Sequence, residues 1–140
     1  MAVTEAAVPD GASVEVDVML EAVEGGVVVK GTISAPWTGE CRRCLGPVSG
    51  LAVAHIDEVF VADPEEGQTW PIDHNQLDLE PVAREAIVLE LPIAPLCRED
   101  CAGLCPECGA DRNAGDCGCP RGGRDPRFTA LDALRFEPPV

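Results

Sequence analysis

Aromatic side chains are scarce in this chain of 140 residues, at 4%, and histidine occurs only twice. Basic charge is scarce too: ten Lys and Arg stand against 25 Asp and Glu, a net charge of −15. A surface this negative repels phosphate backbones, which argues against an autonomous nucleic-acid binder and favours basic partners. Ribosomal proteins are the abundant basic class, although a merely solubilising acidic surface accounts for the same charge. Long apolar runs are missing as well. Nothing approaches the roughly 20 residues of a membrane span, so no membrane partner is expected. Met1–Asp10 has neither a basic stretch nor an adequate apolar core, so no export is expected and the reading is cytoplasmic. Finally, no H-E-x-x-H, G-x-S-x-G or glycine-rich phosphate loop is present, and no enzymatic activity is expected. His55 and His74 stand apart from any ligand-spaced cluster and read as ordinary polar residues.

What is present suits strands. Gly, Pro, Ala and Val are abundant, which fits short strands and irregular connections better than a helical bundle. Codon bias in a GC-rich genome would explain the same composition and the nine arginines to one lysine. The expected class is α+β: a hairpin-rich antiparallel sheet, partly barrel-like, covered by one main helix, with a cysteine-rich zinc-binding C-terminal segment. Residues 1–95 would be the body, 96–124 the metal-binding segment, and 125–140 a short helical turn and a frayed tail.

Val14, Val16, Val18 and Leu20 alternate with Glu15, Asp17, Met19 and Glu21, the period of a half-buried strand. Glu24-Gly25-Gly26 is a turn signal, and Val27–Trp37 reads as the returning strand, with Val27, Val29, Ile33 and Trp37 on one face. Pro36 is expected to place the end of that strand at an edge. A second strand pair is expected within Pro47–Ala62, with a bulge or register change near Ile56–Glu58, where alternation fails. Asp63–Asp73 reads as a mobile acidic loop. Asp78-Leu79-Glu80-Pro81 starts a helix with Asp78 as N-cap, and Leu79, Val82, Ala83, Ala86, Ile87 and Leu91 share its apolar face. Phe128–Leu134 reads as a short amphipathic turn, and Pro138-Pro139 as a frayed end.

The eight cysteines fall into three clusters: Cys41 and Cys44; Cys97, Cys101, Cys105 and Cys108; and Cys117 with Cys119. Thiolates two to four residues apart can converge on a tetrahedral ion with Zn–S bonds of about 2.3 Å. Zinc is the expected cofactor, as one or two ions. The preferred grouping joins Cys105 and Cys108 to Cys117 and Cys119, and Cys41 and Cys44 to Cys97 and Cys101. Pairing Cys41 and Cys44 with Cys105 and Cys108 would satisfy the spacing too. Disulfides suit the even count but not a reducing compartment. A redox CxxC lacks the helix that normally follows it.

Arg42, Arg43, Arg98, Arg112, Arg121, Arg124 and Arg127 crowd the cysteines and are candidates for RNA or partner contact, since Arg suits phosphate. Simple compensation of anionic zinc–thiolate centres is the competing explanation.

Cys41-Arg42-Arg43-Cys44-Leu45, Leu89-Glu90-Leu91-Pro92-Ile93 and the run from Leu96 to Gly109 resemble the YceD family, the large ribosomal RNA subunit accumulation proteins. Asp125-Pro126-Arg127-Phe128 with Ala130-Leu131 resembles the tail of its Gram-positive members. Arg112 departs from the pattern, standing where an apolar residue is common. The resemblance covers about residues 13–136. It implies a bacterial, non-enzymatic role in 23S rRNA accumulation or processing and in large-subunit assembly. The partners it implies are the large-subunit precursor and a basic ribosomal protein or assembly factor, with 23S rRNA contact. A zinc-scaffolded interaction module unrelated to RNA, or a thiol oxidoreductase, are the alternative functions.

Overall fold

The computed structural model describes residues 2–3, 5–120, 127–128 and 131. Among the described residues, seven strands and one helix follow one another: β1 (Ala2–Val3), β2 (Ala6–Ala7), β3 (Glu15–Val23), β4 (Gly26–Glu40), β5 (Pro47–Val61), β6 (Trp70–Asp73), β7 (Gln76–Leu77) and α1 (Glu80–Glu90). The sheet is open, in the order β1-β2-β4-β5-β6-β7, with β3 also on β4. It does not close toward a barrel, and β5–β6 is a parallel pair rather than antiparallel.

β4 and β5 carry the fold. Each is 15 residues long, and they pair without interruption from Gly26↔Val61 to Glu40↔Pro47. The bulge expected near Ile56–Glu58 is therefore absent, and one strand stands where a pair was expected. Alternation broke because Glu58 lies on the apolar face, where its carboxylate accepts the Trp70 indole N–H at 2.9 Å. A polar residue with a partner can occupy an inward position without disturbing register. β4 runs past the expected end at Trp37 to Glu40, and Pro36 does sit where that flank is unpaired. β3 pairs as far as Ser34 and β2 begins at Thr38, so Pro36 falls in the gap between them, where a missing N–H costs no ladder bond.

α1 packs across β5 and β4. Val29, Ile33 and Ala35 of β4 meet Ala52, Ala54, Ile56 and Phe60 of β5, and Val82, Ala83, Ile87 and Leu91 close the core from above. The apolar face read from the helical spacing is the one buried. Leu79, not Asp78, is the N-cap and has no side chain able to cap; Asp78, one residue earlier, accepts the Glu80 N–H at 3.0 Å instead. Of β3, Val18 packs against this core, whereas Val16 and Leu20 stay exposed although they share the inner face. The acidic stretch after β5 is not all loop: Trp70 stacks on Phe60 at 6.4 Å, and β6 and β7 form a small hairpin around His74-Asn75. Phe128–Leu134 and Pro138-Pro139 lie largely outside the described residues, as do Arg121 and Arg124.

Candidate metal centres

The hairpin connection between β4 and β5 is the first knuckle. Cys41 N–H donates to Gly46 O at 2.8 Å, and Leu45 N–H donates back to Cys41 O at 2.8 Å. The second knuckle repeats both bonds at the same spacing: Cys105 N–H to Ala110 O and Gly109 N–H to Cys105 O, each 2.8 Å. The residue after the second cysteine takes positive φ in both, 59° at Leu45 and 73° at Gly109. Glycine adopts this conformation freely and leucine does not. The turn signal at Gly109 was legible in the sequence; its twin at Leu45 was not, because leucine announces no turn.

The knuckles touch back to back. Leu104 N–H donates to Arg43 O at 3.0 Å, and Arg42 N–H to Pro95 O at 3.0 Å. A Cβ at Gly103 would lie 2.9 Å from Arg43 O, so the backbones approach this closely only with glycine there. This contact seats the segment after α1 against the β4–β5 connection and decides the cysteine grouping. Cys41, Cys44, Cys97 and Cys101 form one group and Cys105, Cys108, Cys117 and Cys119 the other, with the sulfurs of each within 4.8 Å of one another. The alternative that pairs the first knuckle with Cys105 and Cys108 is not the one formed.

Each group could hold a metal ion. Cys41 and Cys101 Sγ are 3.8 Å apart, and Cys44 and Cys97 Sγ 3.7 Å. Four bonds of about 2.3 Å to one tetrahedral ion separate the ligands by about 3.8 Å, so the donor set and its spacing fit. All eight cysteines are free thiols. Cys41, Cys101 and Cys105 are buried, the outer ligands less so.

Local dipoles favour thiolate at selected positions. Backbone N–H groups, first that of Cys44 and then that of Cys97, bring the Cys41 thiol down to about 6. Those of Cys108 and Glu107 do the same for Cys105, also to about 6. The neighbouring sulfur of Cys101 pushes Cys97 up to about 12, and those of Cys108 and Cys117 push Cys119 up to about 12. Each site therefore pairs ready thiolates with thiols that share their protons, a set that a soft divalent cation would convert to four anions.

Asn113 supports the first centre from the second segment. Its Nδ2 donates to Cys101 Sγ at 3.4 Å, lowering that thiol's pKa, while Oδ1 accepts Ala102 N–H at 2.8 Å and Arg98 at 2.7 Å. Such outer bonds orient ligands. Asparagine in this place escaped the sequence reading, since no spacing rule marks it. Of the candidate arginines, Arg43 donates to Glu99 O and Cys101 O, both at 3.0 Å, and Arg98 lies 3.3 Å from Asp100. These two brace the knuckle. Arg42 and Arg112 are exposed, and Arg127 lies over the Phe128 ring at 6.0 Å.

Sheet, helix and two four-cysteine groups define a small α+β protein able to hold metal at the end of its central hairpin. The chain belongs to the YceD family: residues 29–135 match the family described as Large ribosomal RNA subunit accumulation protein YceD. An uncharacterized protein of Mycobacterium tuberculosis is 41% identical over 110 residues, covering 74% of this chain and 53% of its own. One from Mycobacterium leprae is 38% identical over 106 residues, covering 71% and 49%. A chloroplastic protein of Arabidopsis thaliana, named Large ribosomal RNA subunit accumulation protein YCED homolog 1, is 32% identical over 107 residues, covering 65% and 33%. The chain spans about half the length of the mycobacterial relatives it matches. No solved structure matches.

Proposed function

We propose that this protein is a non-enzymatic assembly factor that supports 23S rRNA accumulation, and that zinc at both four-cysteine groups holds its adaptor surface in shape. The observation that carries this reading is the family match over residues 29–135, reinforced by the name of the Arabidopsis relative. The acidic body, at −15, suits a basic ribosomal protein or assembly factor on the large-subunit precursor. Arg42 and Arg112, exposed on the knuckles, are the arginines to test for rRNA contact, because Arg43 and Arg98 are engaged in bracing the metal segment. No helix of the described residues is long and apolar enough to cross a membrane, and a cytoplasmic setting suits this role.

Two measurements test it. Deleting the chain in its native cells should raise precursor 23S rRNA and deplete large subunits in gradient profiles, with restoration by the intact gene. Unchanged rRNA and profiles would remove the role. Native mass spectrometry of the reduced, unchelated protein should report two zinc ions per chain; a metal-free, well-ordered protein would remove the zinc.

A further inference from the structure

β5 is bonded to β4 along its whole length but to β6 only around Phe60 and Val61. Among the described residues, no strand lies against its other flank from Pro47 to Val59. The direction of its free groups follows from β4. Glu40 N–H donates toward β2, to Glu5 O at 3.2 Å, whereas Cys41 N–H donates toward the β5 side, to Gly46 O. Successive residues alternate flanks, so the odd-numbered residues of β4 bond β5, and their register partners are Gly50, Ala52, Ala54, Ile56 and Glu58. Leu51, Val53, His55 and Asp57 therefore turn N–H and C=O outward. A long row of unpaired backbone groups is a template for another strand.

This edge borders a shaped surface. α1 overhangs it, and between helix and strand lies a cleft of about 140 Å³ with Ala54, Ile56 and Leu89 among its apolar walls and Glu58, Glu85 and Glu90 at its margin. Leu89 is 77% exposed, and neither Glu85 nor Glu90 has an ion-pair partner among the described residues. On the opposite sheet face the same edge presents Leu51 and Val53, 62% and 42% exposed.

We propose that the open flank of β5 takes up an extended, basic segment of a partner polypeptide as an added strand. Alternate side chains of an added strand enter the cleft. Lysine or arginine there would lay its aliphatic stem on Ala54, Ile56 and Leu89 and reach the three carboxylates with its charged end. The intervening residues fall beside Leu51 and Val53 and should be apolar. A net charge of −15 selects against acidic segments. The inference deepens the adaptor half of the proposed function and rests on it for the partner's class.

The test is a titration of the isotope-labelled full chain with a capped peptide of about ten alternating valine and lysine residues. Amide exchange at Leu51, Val53, His55 and Asp57 should slow about tenfold or more, while that at Ala52 and Ala54, already bonded to β4, should not change. The E85Q/E90Q double variant should bind about tenfold more weakly. A peptide N-methylated at every second residue, in the phase that pairs with β5, should not bind. Any of three results overturns the proposal: outward amides already protected without peptide, equal binding of a valine–glutamate peptide, or equal binding of the N-methylated one. A failed titration beside an intact 23S phenotype would remove the edge and keep the assembly role; the converse would remove the role and keep the edge.

Discussion

Leucine at φ 59° in one knuckle and glycine at φ 73° in the other is a comparison the protein makes with itself. The left-handed conformation costs an L-residue about 1–2 kcal/mol, partly offset by the greater chain entropy glycine loses on folding. Leu45 is 60% exposed, so little burial compensates the strain. Leu45→Gly should raise the stability of the metal-loaded protein by about 0.5–1 kcal/mol in urea titration, and Gly109→Leu should lower it by about 1–2 kcal/mol. Destabilisation by Leu45→Gly would show instead that the leucine side chain holds the knuckle. At this scale the converging cysteines were legible, because thiol spacing has few chemical meanings. Their preferred grouping is the one formed, although the spacing alone did not force it, since other pairings satisfy the same intervals. What selects one is the contact of Gly103 with the Arg43 carbonyl and the reach of Asn113, long-range facts that no local pattern carries.

The elements divide along the same line. α1 was readable because its apolar positions recur at one period and nothing tertiary contradicts them. β5 was misread for one residue, Glu58, whose inward carboxylate makes sense only once Trp70 is seen to return beside it. Trp70 in turn was hidden in an acidic stretch whose composition resembles a loop, although Phe60 fixes it as a short parallel strand. Pro36 marks an unpaired edge because proline removes a donor, and the gap between β2 and β3 is that edge. Phe60 joins these features, being fully buried, stacked on Trp70 and opposite Val27 in the sheet. Phe60→Ala should cost about 3–5 kcal/mol and release β6 from β5. Equilibrium unfolding measures the first and loss of exchange protection at the β6 amides the second; a cost below about 1 kcal/mol would mean that this packing is not what holds β6.

Across the whole molecule, the apolar core and the cysteine groups are separate sources of order. The core lies between α1 and the sheet, while residues 97–119 contain no helix or named strand and one isolated bridge, Leu104↔Asp111. Structural zinc is worth about 10–16 kcal/mol in small modules, enough to order such a segment. Chelation under reducing conditions should therefore erase amide protection at Leu104, Cys105, Gly109 and Arg112 while β4, β5 and α1 keep theirs. Simultaneous loss of both would show that the two halves fold as one cooperative unit, contrary to this division.

Cys41 and Cys101 stand 60 residues apart in the chain, and Cys44 and Cys97 stand 53 apart. During synthesis the early pair emerges first and must wait while β5, β6, β7 and α1 are made. The first centre can be completed only after those elements have left the exit tunnel, and the second later still. Were zinc bound as proposed, its capture would be a finishing step: a chain interrupted before Cys97 has its main hairpin and helix but neither four-cysteine group.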